Sequence, residues 1–153
     1  MEIKYINPFI AGFLNVAGQC GIPSLQRTGL SKREKLRTDH DVNIIIGLTG
    51  EIGGNVVLSM HEATAKKIAS AMMGGMEVPE FDMMPKSALC ELANMSAGNS
   101  LTALAEMNVN VDITPPTLIN GQNMVCMISQ VETIVLEFTG EVGTLEINVA
   151  LET

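Results

Sequence analysis

Apolar and polar positions along this chain repeat with two periods, and the switches between them mark out its elements. Tyr5, Phe9, Phe13 and Val16 recur at helical spacing, with Gly18 and Gly21 closing the run, so a helix is expected over residues 5–18. Residues 22–32 hold Pro23, Ser24 and Gly29 and read as a loop, followed by a strand near 33–39. Residues 42–48 and 55–60 are β-branched runs joined by Thr49-Gly50-Glu51-Ile52-Gly53-Gly54, which predicts a hairpin on a glycine-rich turn. No phosphate-cradling pattern accompanies those glycines. Helical spacing returns at 62–73 and stops at Gly74-Gly75, a C-cap signal. An acidic linker, 77–82, leads into a long helix expected over 83–107, with Asp82 as N-cap and Pro85 in the first turn. Thr114-Pro115-Pro116-Thr117 breaks the chain. Strands are then expected near 117–120, 123–131, 133–139 and 143–150, the last two joined at Gly140-Glu141-Val142-Gly143.

Composition narrows the picture. The 153 residues suit one domain, 1–153, large enough to bury a core. Hydrophobic residues make up 46%, but aromatics only 3%, so the core must be aliphatic. The 11 methionines are expected mainly as gap-fillers in that core, with an adaptable binding surface as the other reading. A net charge of −8, with no basic tract beyond Ser31-Lys32-Arg33-Glu34-Lys35-Leu36-Arg37, disfavours nucleic acid and anionic membrane as partners. Cys20, Cys90 and Cys126 form no C-x-x-C pair or zinc spacing and read as buried thiols in a reducing compartment. No apolar run reaches the ~18 residues needed to span a bilayer, and no signal-peptide pattern opens the chain. A cytoplasmic, soluble protein is expected.

Within the long helix, Ser87, Glu91 and Asn94 stand at i, i+4 and i+7, inside a sector of roughly 60°. Gly98 lies on the same line and leaves a low spot. Leu89, Leu92, Leu104 and Met107 cluster opposite, with Ala93, Ser96 and Ala103 between. One face is therefore buried, and the other offers a carboxylate and a carboxamide flanked by little bulk. An ordinary solvated helix face has the same appearance. Asn99 lies roughly 120° around the helix and reads as structural. His40 and His61 are far apart in sequence and read as solvated or hairpin-end residues. No nucleophile elbow is present.

The stretch Ser87-Ala88-Leu89-Cys90-Glu91-Leu92-Ala93-Asn94 resembles the signature of the CheC/CheX phosphatases of bacterial chemotaxis. That signature is Asp or Ser, three residues, Glu, two residues, Asn. Met95-Ser96-Ala97-Gly98-Asn99, Ser70-Ala71-Met72-Met73-Gly74-Gly75 upstream and Val111-Asp112-Ile113-Thr114-Pro115-Pro116-Thr117 downstream are similar to the same family. The likeness is closest to CheX, with one active motif. It implies an α+β, CheC-like fold: a mostly antiparallel sheet with helices packed against it, pseudo-duplicated. It implies a phosphatase acting on the aspartyl phosphate of a CheY-like response regulator. Asn94 would position the attacking water, and Glu91 would pair with a lysine of the regulator. Ser87, Glu91 and Gly98 would form the partner contact, with Gly98 and Ala97 letting the partner's loops come close. No cofactor of its own is expected, because the chain shows no carboxylate cluster for a metal. Magnesium would arrive with the regulator. The alternative is a non-catalytic regulator-binding or flagellar-switch-like module of the same fold.

Two further expectations concern symmetry. Asn15-Val16-Ala17-Gly18 echoes Asn94-Met95-Ser96-Ala97, a register that sets Asn15 over Asn94 and Gly12 over Glu91. A duplicated αββ-type architecture or chance would each explain it; in the first case the first helix carries a degenerate site. The resemblance also implies a homodimer built through sheet edges. The segment 123–138, rich in Val, Ile and Met with Glu132 and Glu137 as its only charges, is the candidate edge.

Overall fold

The structure, a computed structural model, describes residues 3–152. A short 3-10 turn (Ile3–Tyr5) leads into α1 (Asn7–Gln19). Four strands follow: β1 (Gln26–Arg33), β2 (Leu36–Thr38), β3 (Val42–Gly50) and β4 (Gly53–Met60). Next come α2 (Glu62–Met72) and α3 (Met83–Glu106). The chain ends with β5 (Val111–Ile113), β6 (Thr117–Asn120), β7 (Cys126–Ser129), β8 (Thr133–Gly140) and β9 (Gly143–Glu152).

The main sheet runs β1-β8-β9-β4-β3, with β5 and β6 both paired to β3, and every pairing is antiparallel. Period-2 alternation decides its two faces. Val42, Ile44, Ile46 and Leu48 of β3, Leu58 and Met60 of β4, and Leu145, Ile147 and Val149 of β9 point into one core. There they meet Phe9, Phe13 and Val16 of α1 and Leu89, Leu92 and Ala97 of α3. Phe13 and Phe138 hold their ring centres 5.4 Å apart. The opposite face is covered by a small β2–β7 ribbon, which buries Leu36, Val57 and Ala150. Three polar residues buried in the sheet, Asn43, Ser59 and Asn148, are hydrogen-bonded to one another. Ser59 Oγ donates to Asn43 Oδ1 (2.8 Å), and Asn148 Nδ2 donates to Val57 O and Ser59 Oγ, both at 3.3 Å. These bonds tie β3, β4 and β9 into one register, the platform on which α3 rests.

Several boundaries follow the sequence reading. α2 ends in a Schellman-type cap: Gly74 sits at φ +72°, and Gly75 N–H reaches Ser70 O at 2.8 Å. Others differ. Residues 26–32, read as loop, form with Arg33 the edge strand β1, whose side chains are almost all exposed, so no apolar alternation announces it. The strand expected at 33–39 starts and ends elsewhere, as β1 and the three-residue β2. The single strand expected at 123–131 is only β7, because Asn123 turns the chain at φ +54°. β8 is not an edge at all. It lies between β1 and β9, which removes 133–138 from the candidate dimer edge.

The sheet reads alike from both sides: two central hairpins, β3–β4 and β8–β9, meet along β4 and β9. Their turns share nearly one spelling, Thr49-Gly50-Glu51-Ile52-Gly53 and Thr139-Gly140-Glu141-Val142-Gly143. The helix echo does not hold in the register given above. Gly12 is buried where α1 crosses α3; a Cβ there would lie 2.5 Å from Ser100 Oγ and 2.9 Å from Ser96 O. Glu91 is exposed. Asn15 Nδ2 instead donates to Asn99 Oδ1 at 3.5 Å, so Asn99 is structural and Asn15 is its partner.

Candidate functional site

α3 begins as the sequence demands. Asp82 is extended at the N-cap position and its carbonyl receives Lys86 N–H at 3.2 Å, although its side chain makes no capping bond. Pro85 sits in the first turn, where no intrahelical donor is lost. Leu89, Leu92, Ala93, Ser96, Ala97, Ser100 and Leu104 form the buried side. Ser96 and Ser100 bond back to the carbonyls of Leu92 (2.7 Å) and Ser96 (2.9 Å), so small polar residues can lie in the helix crossing without orphaned hydroxyls. Ala97 belongs to this side, which corrects its expected role beside the partner. Met107 lies beyond the last helical turn and is exposed, not part of the apolar cluster.

The outer side keeps Ser87 and Glu91 exposed and Asn94 and Gly98 half-buried. Ser87, Glu91 and Asn94 line one open cleft of about 530 Å³ with Met83, Lys86 and Cys90. Its opposite wall is Pro116, Leu118 and Asn120. That wall is fixed by strand pairing. Leu118 opposes Ile44 and Asn120 opposes Val42, and Gly121 N–H bonds Asp41 O at 2.9 Å. Thr114 anchors the approach: its N–H reaches Gly47 O (2.9 Å) and its Oγ1 accepts Gly47 N–H (2.8 Å). The Thr114-Pro115-Pro116-Thr117 block, which the sequence marks as a break and as part of the family-like stretch 111–117, is thus the corner that sets Pro116 across from the motif helix.

Among the described residues, no side chain or backbone group hydrogen-bonds or ion-pairs with the side chains of Ser87, Glu91 or Asn94. The three polar groups therefore stand ready for an external partner. A Cβ on Gly98 would meet nothing within 4 Å, so this low spot opens to the outside. Lys86 is the one cation lining the cleft, with Nζ 5.9 Å from the centre of the Phe81 ring. Burial raises the Cys90 thiol above its ordinary range, which keeps it protonated and a poor nucleophile at neutral pH. The cleft offers one carboxylate, that of Glu91, beside the neutral oxygens of Ser87, Asn94 and Asn120. Among the described residues, no group of three or more His, Cys, Asp or Glu is arranged to hold a metal.

Elsewhere, His40 and His61 are brought together, against the sequence expectation, with ring centres 4.8 Å apart. His40 Nδ1 is buried 3.8 Å from Glu146 Oε2, whose other oxygen meets Arg33 at 3.3 Å. These residues line no part of the motif cleft. All three cysteines are free and half-buried, not fully buried as expected.

Comparison with known proteins adds a lineage to this geometry. The family described as chemotaxis phosphatase CheX matches residues 42–139. The CheY-P phosphatase CheX of Thermotoga maritima is 44% identical over 85 residues, which span 56% of this chain and 55% of that protein. A CheC-like superfamily protein from Shewanella sp. PV-4 superposes with a TM-score of 0.89 at 24% identity, over 100% of both chains. The CheX-CheY-BeF3-Mg2+ complex from Borrelia burgdorferi contains a chain that superposes with a TM-score of 0.81 at 27% identity, over 99% of this chain and 100% of that one.

Proposed function

This chain belongs to the CheX family of chemotaxis phosphatases, and from that premise we propose that it hydrolyses the aspartyl phosphate of a CheY-like response regulator. The observation that carries the reading is the cleft: Glu91 and Asn94 share one open wall, and no group among the described residues engages them. The relative in Thermotoga maritima bears the name of that activity, and the Borrelia burgdorferi relative has been seen with CheY.

An acyl phosphate is already activated, so the enzyme needs no nucleophile of its own. It needs a water in line with the bond to be broken and a place for charge. The Asn94 carboxamide accepts a hydrogen bond from that water and donates one to a phosphoryl oxygen. Water oxygen bonds to phosphorus as the bond to the regulator's carboxylate breaks. The water's proton leaves on the phosphate, and the aspartate departs as its carboxylate. Asn94 is too weak a base to take that proton, and a loose transition state does not require it to. Glu91 is reserved for an ion pair with a lysine on the regulator, since a second anion facing the phosphoryl group would oppose catalysis. Ser87 contacts the partner one turn upstream, and Gly98 admits its loops. Magnesium is the regulator's own, in keeping with its presence in the Borrelia complex.

The test is Asn94→Ala. Single-turnover dephosphorylation should slow by roughly 10²–10³-fold, as for loss of one positioned transition-state donor, while regulator binding stays near wild type. Near-normal turnover would end the assignment and leave the chain as a regulator-binding module.

A further inference from the structure

Eleven methionines in a chain this size are expected mainly to fill the core, but among the described residues Met72 and Met73 only pack half-buried against it and most of the rest are exposed. Among those in the described residues only Met60 is buried. Three of the exposed ones border the motif. With Ser87 at zero on a helical wheel, Asn94, Ser87, Gly98 and Glu91 span roughly 60°. Met83 falls roughly 20° beyond one margin, and Met84 and Met95 roughly 20° and 40° beyond the other. Their exposures are 77%, 64% and 37%. Across the cleft, Met124 sits over Gly121, with its sulfur 3.0 Å from where a Cβ would be. That glycine directly follows the cleft residue Asn120.

We infer that these methionines are a docking rim for the receiver domain that carries the phosphorylated aspartate. They supply affinity through adaptable apolar contact, while the polar stripe they enclose supplies the rate. The inference rests on the phosphatase reading above and adds to it the means of partner recognition. Three arguments favour this occupant. Met83 itself lines the motif cleft, so a partner that presents the phosphoryl group to Asn94 meets it, and Met84 is the next residue along the helix. The chain's −8 charge argues against an anionic membrane there. A second copy of this chain seated on the rim would shut the cleft. Thioethers are flexible and polarisable, and surfaces rich in them repack around partners of differing shape. Such a rim can therefore serve receivers that differ in detail around a constant phosphorylation site.

The experiment compares Met83→Ala/Met84→Ala with Met83→Leu/Met84→Leu. Steady-state hydrolysis is read with a phosphorylated CheY-like receiver, and Kd is read by titration with the same receiver loaded with Mg2+ and BeF3. The alanine pair should raise KM and Kd roughly tenfold or more, with kcat within about twofold of wild type. The leucine pair should recover to within about threefold, since it restores apolar volume. Unchanged KM and Kd in the alanine pair would overturn the inference. So would loss of a sedimenting dimer with unchanged Kd, which would assign the rim to a second copy. Asn94→Ala is run beside them. If it still turns over, the phosphatase reading fails, yet the Kd arm continues to test the rim.

Discussion

At the scale of single residues, Glu91 is the side chain whose role is most open to a sharp test. It is exposed and engages no other described residue, so its carboxylate contributes little to the fold. If it pairs with a regulator lysine, charge matters more than shape. Glu91→Gln should then behave like Glu91→Ala, both losing roughly 2–5 kcal/mol of regulator affinity as the lysine is left desolvated and unpaired. Titration calorimetry with the loaded receiver checks it, and full affinity in the Gln variant would remove the ion pair from the scheme. The residues on this helix were legible in the sequence because helical spacing is local: i, i+4 and i+7 determine a face before any tertiary contact forms. Pro116, Leu118 and Asn120 were not legible. They reach the cleft only through pairing of β6 with β3, a contact about seventy residues long in sequence, and no periodicity reports it. The methionines were read mainly as core, with a binding surface as the other reading, for a related reason. Met is a common core residue by composition, and only the positions of Met83, Met84 and Met95 around α3 point to the proposed rim.

At the scale of elements, the two glycines that touch α3 should respond to the same substitution in opposite ways. Gly12 lies in the α1–α3 crossing, where a Cβ meets Ser96 backbone oxygen at 2.9 Å, an atom that cannot swing aside. Gly12→Ala should cost about 1–3 kcal/mol by overpacking. Gly98 is mid-helix with open space beyond it, so Gly98→Ala should stabilise the chain by about 0.5–1 kcal/mol through helix propensity. Urea unfolding measures both. Turnover separates them further: Gly98→Ala should raise KM despite its greater stability, because the low spot is where the partner approaches. Equal and small stability changes would contradict the packing described. Elements with strong local signals matched their reading closely: α2 carries clear periodicity and a glycine stop, α3 is announced by Asp82 and Pro85 at its start, and β6 opens directly after a proline pair. β1 carries neither. An exposed edge strand is under little pressure to alternate, and Thr28, Gly29 and Ser31 look like loop to any pattern argument. Its partner β8 supplies the order that its own residues do not specify.

At the scale of the whole molecule, the sheet's free edges bear on assembly. β1 forms one outer edge, with the cationic side chains of Arg27 and Lys32 along it, the usual guard against edge pairing. β7 has no such guard. Cys126-Met127-Ile128-Ser129 is uncharged, pairs only with the short β2, and is preceded by Val125 at 54% exposure, with Met127 at 67%. A homodimer, proposed from the family, is best sought there. Two-fold pairing of β7 with its mate would satisfy free backbone groups and cover both side chains. It would also leave the α3 cleft of each copy free for a regulator. Sedimentation at micromolar concentration should give a dimer mass, and a strictly monomeric mass would refute it. Proline scanning then distinguishes the two halves of the segment once considered as a single edge. Proline within 126–129 should yield a folded monomer that still hydrolyses its substrate. Proline within 134–138 should instead unfold the chain, because β8 is an interior strand with Leu136 and Phe138 fully buried. Dimers that survive every β7 proline would shift the interface to another edge, with β1 next in line despite its cations.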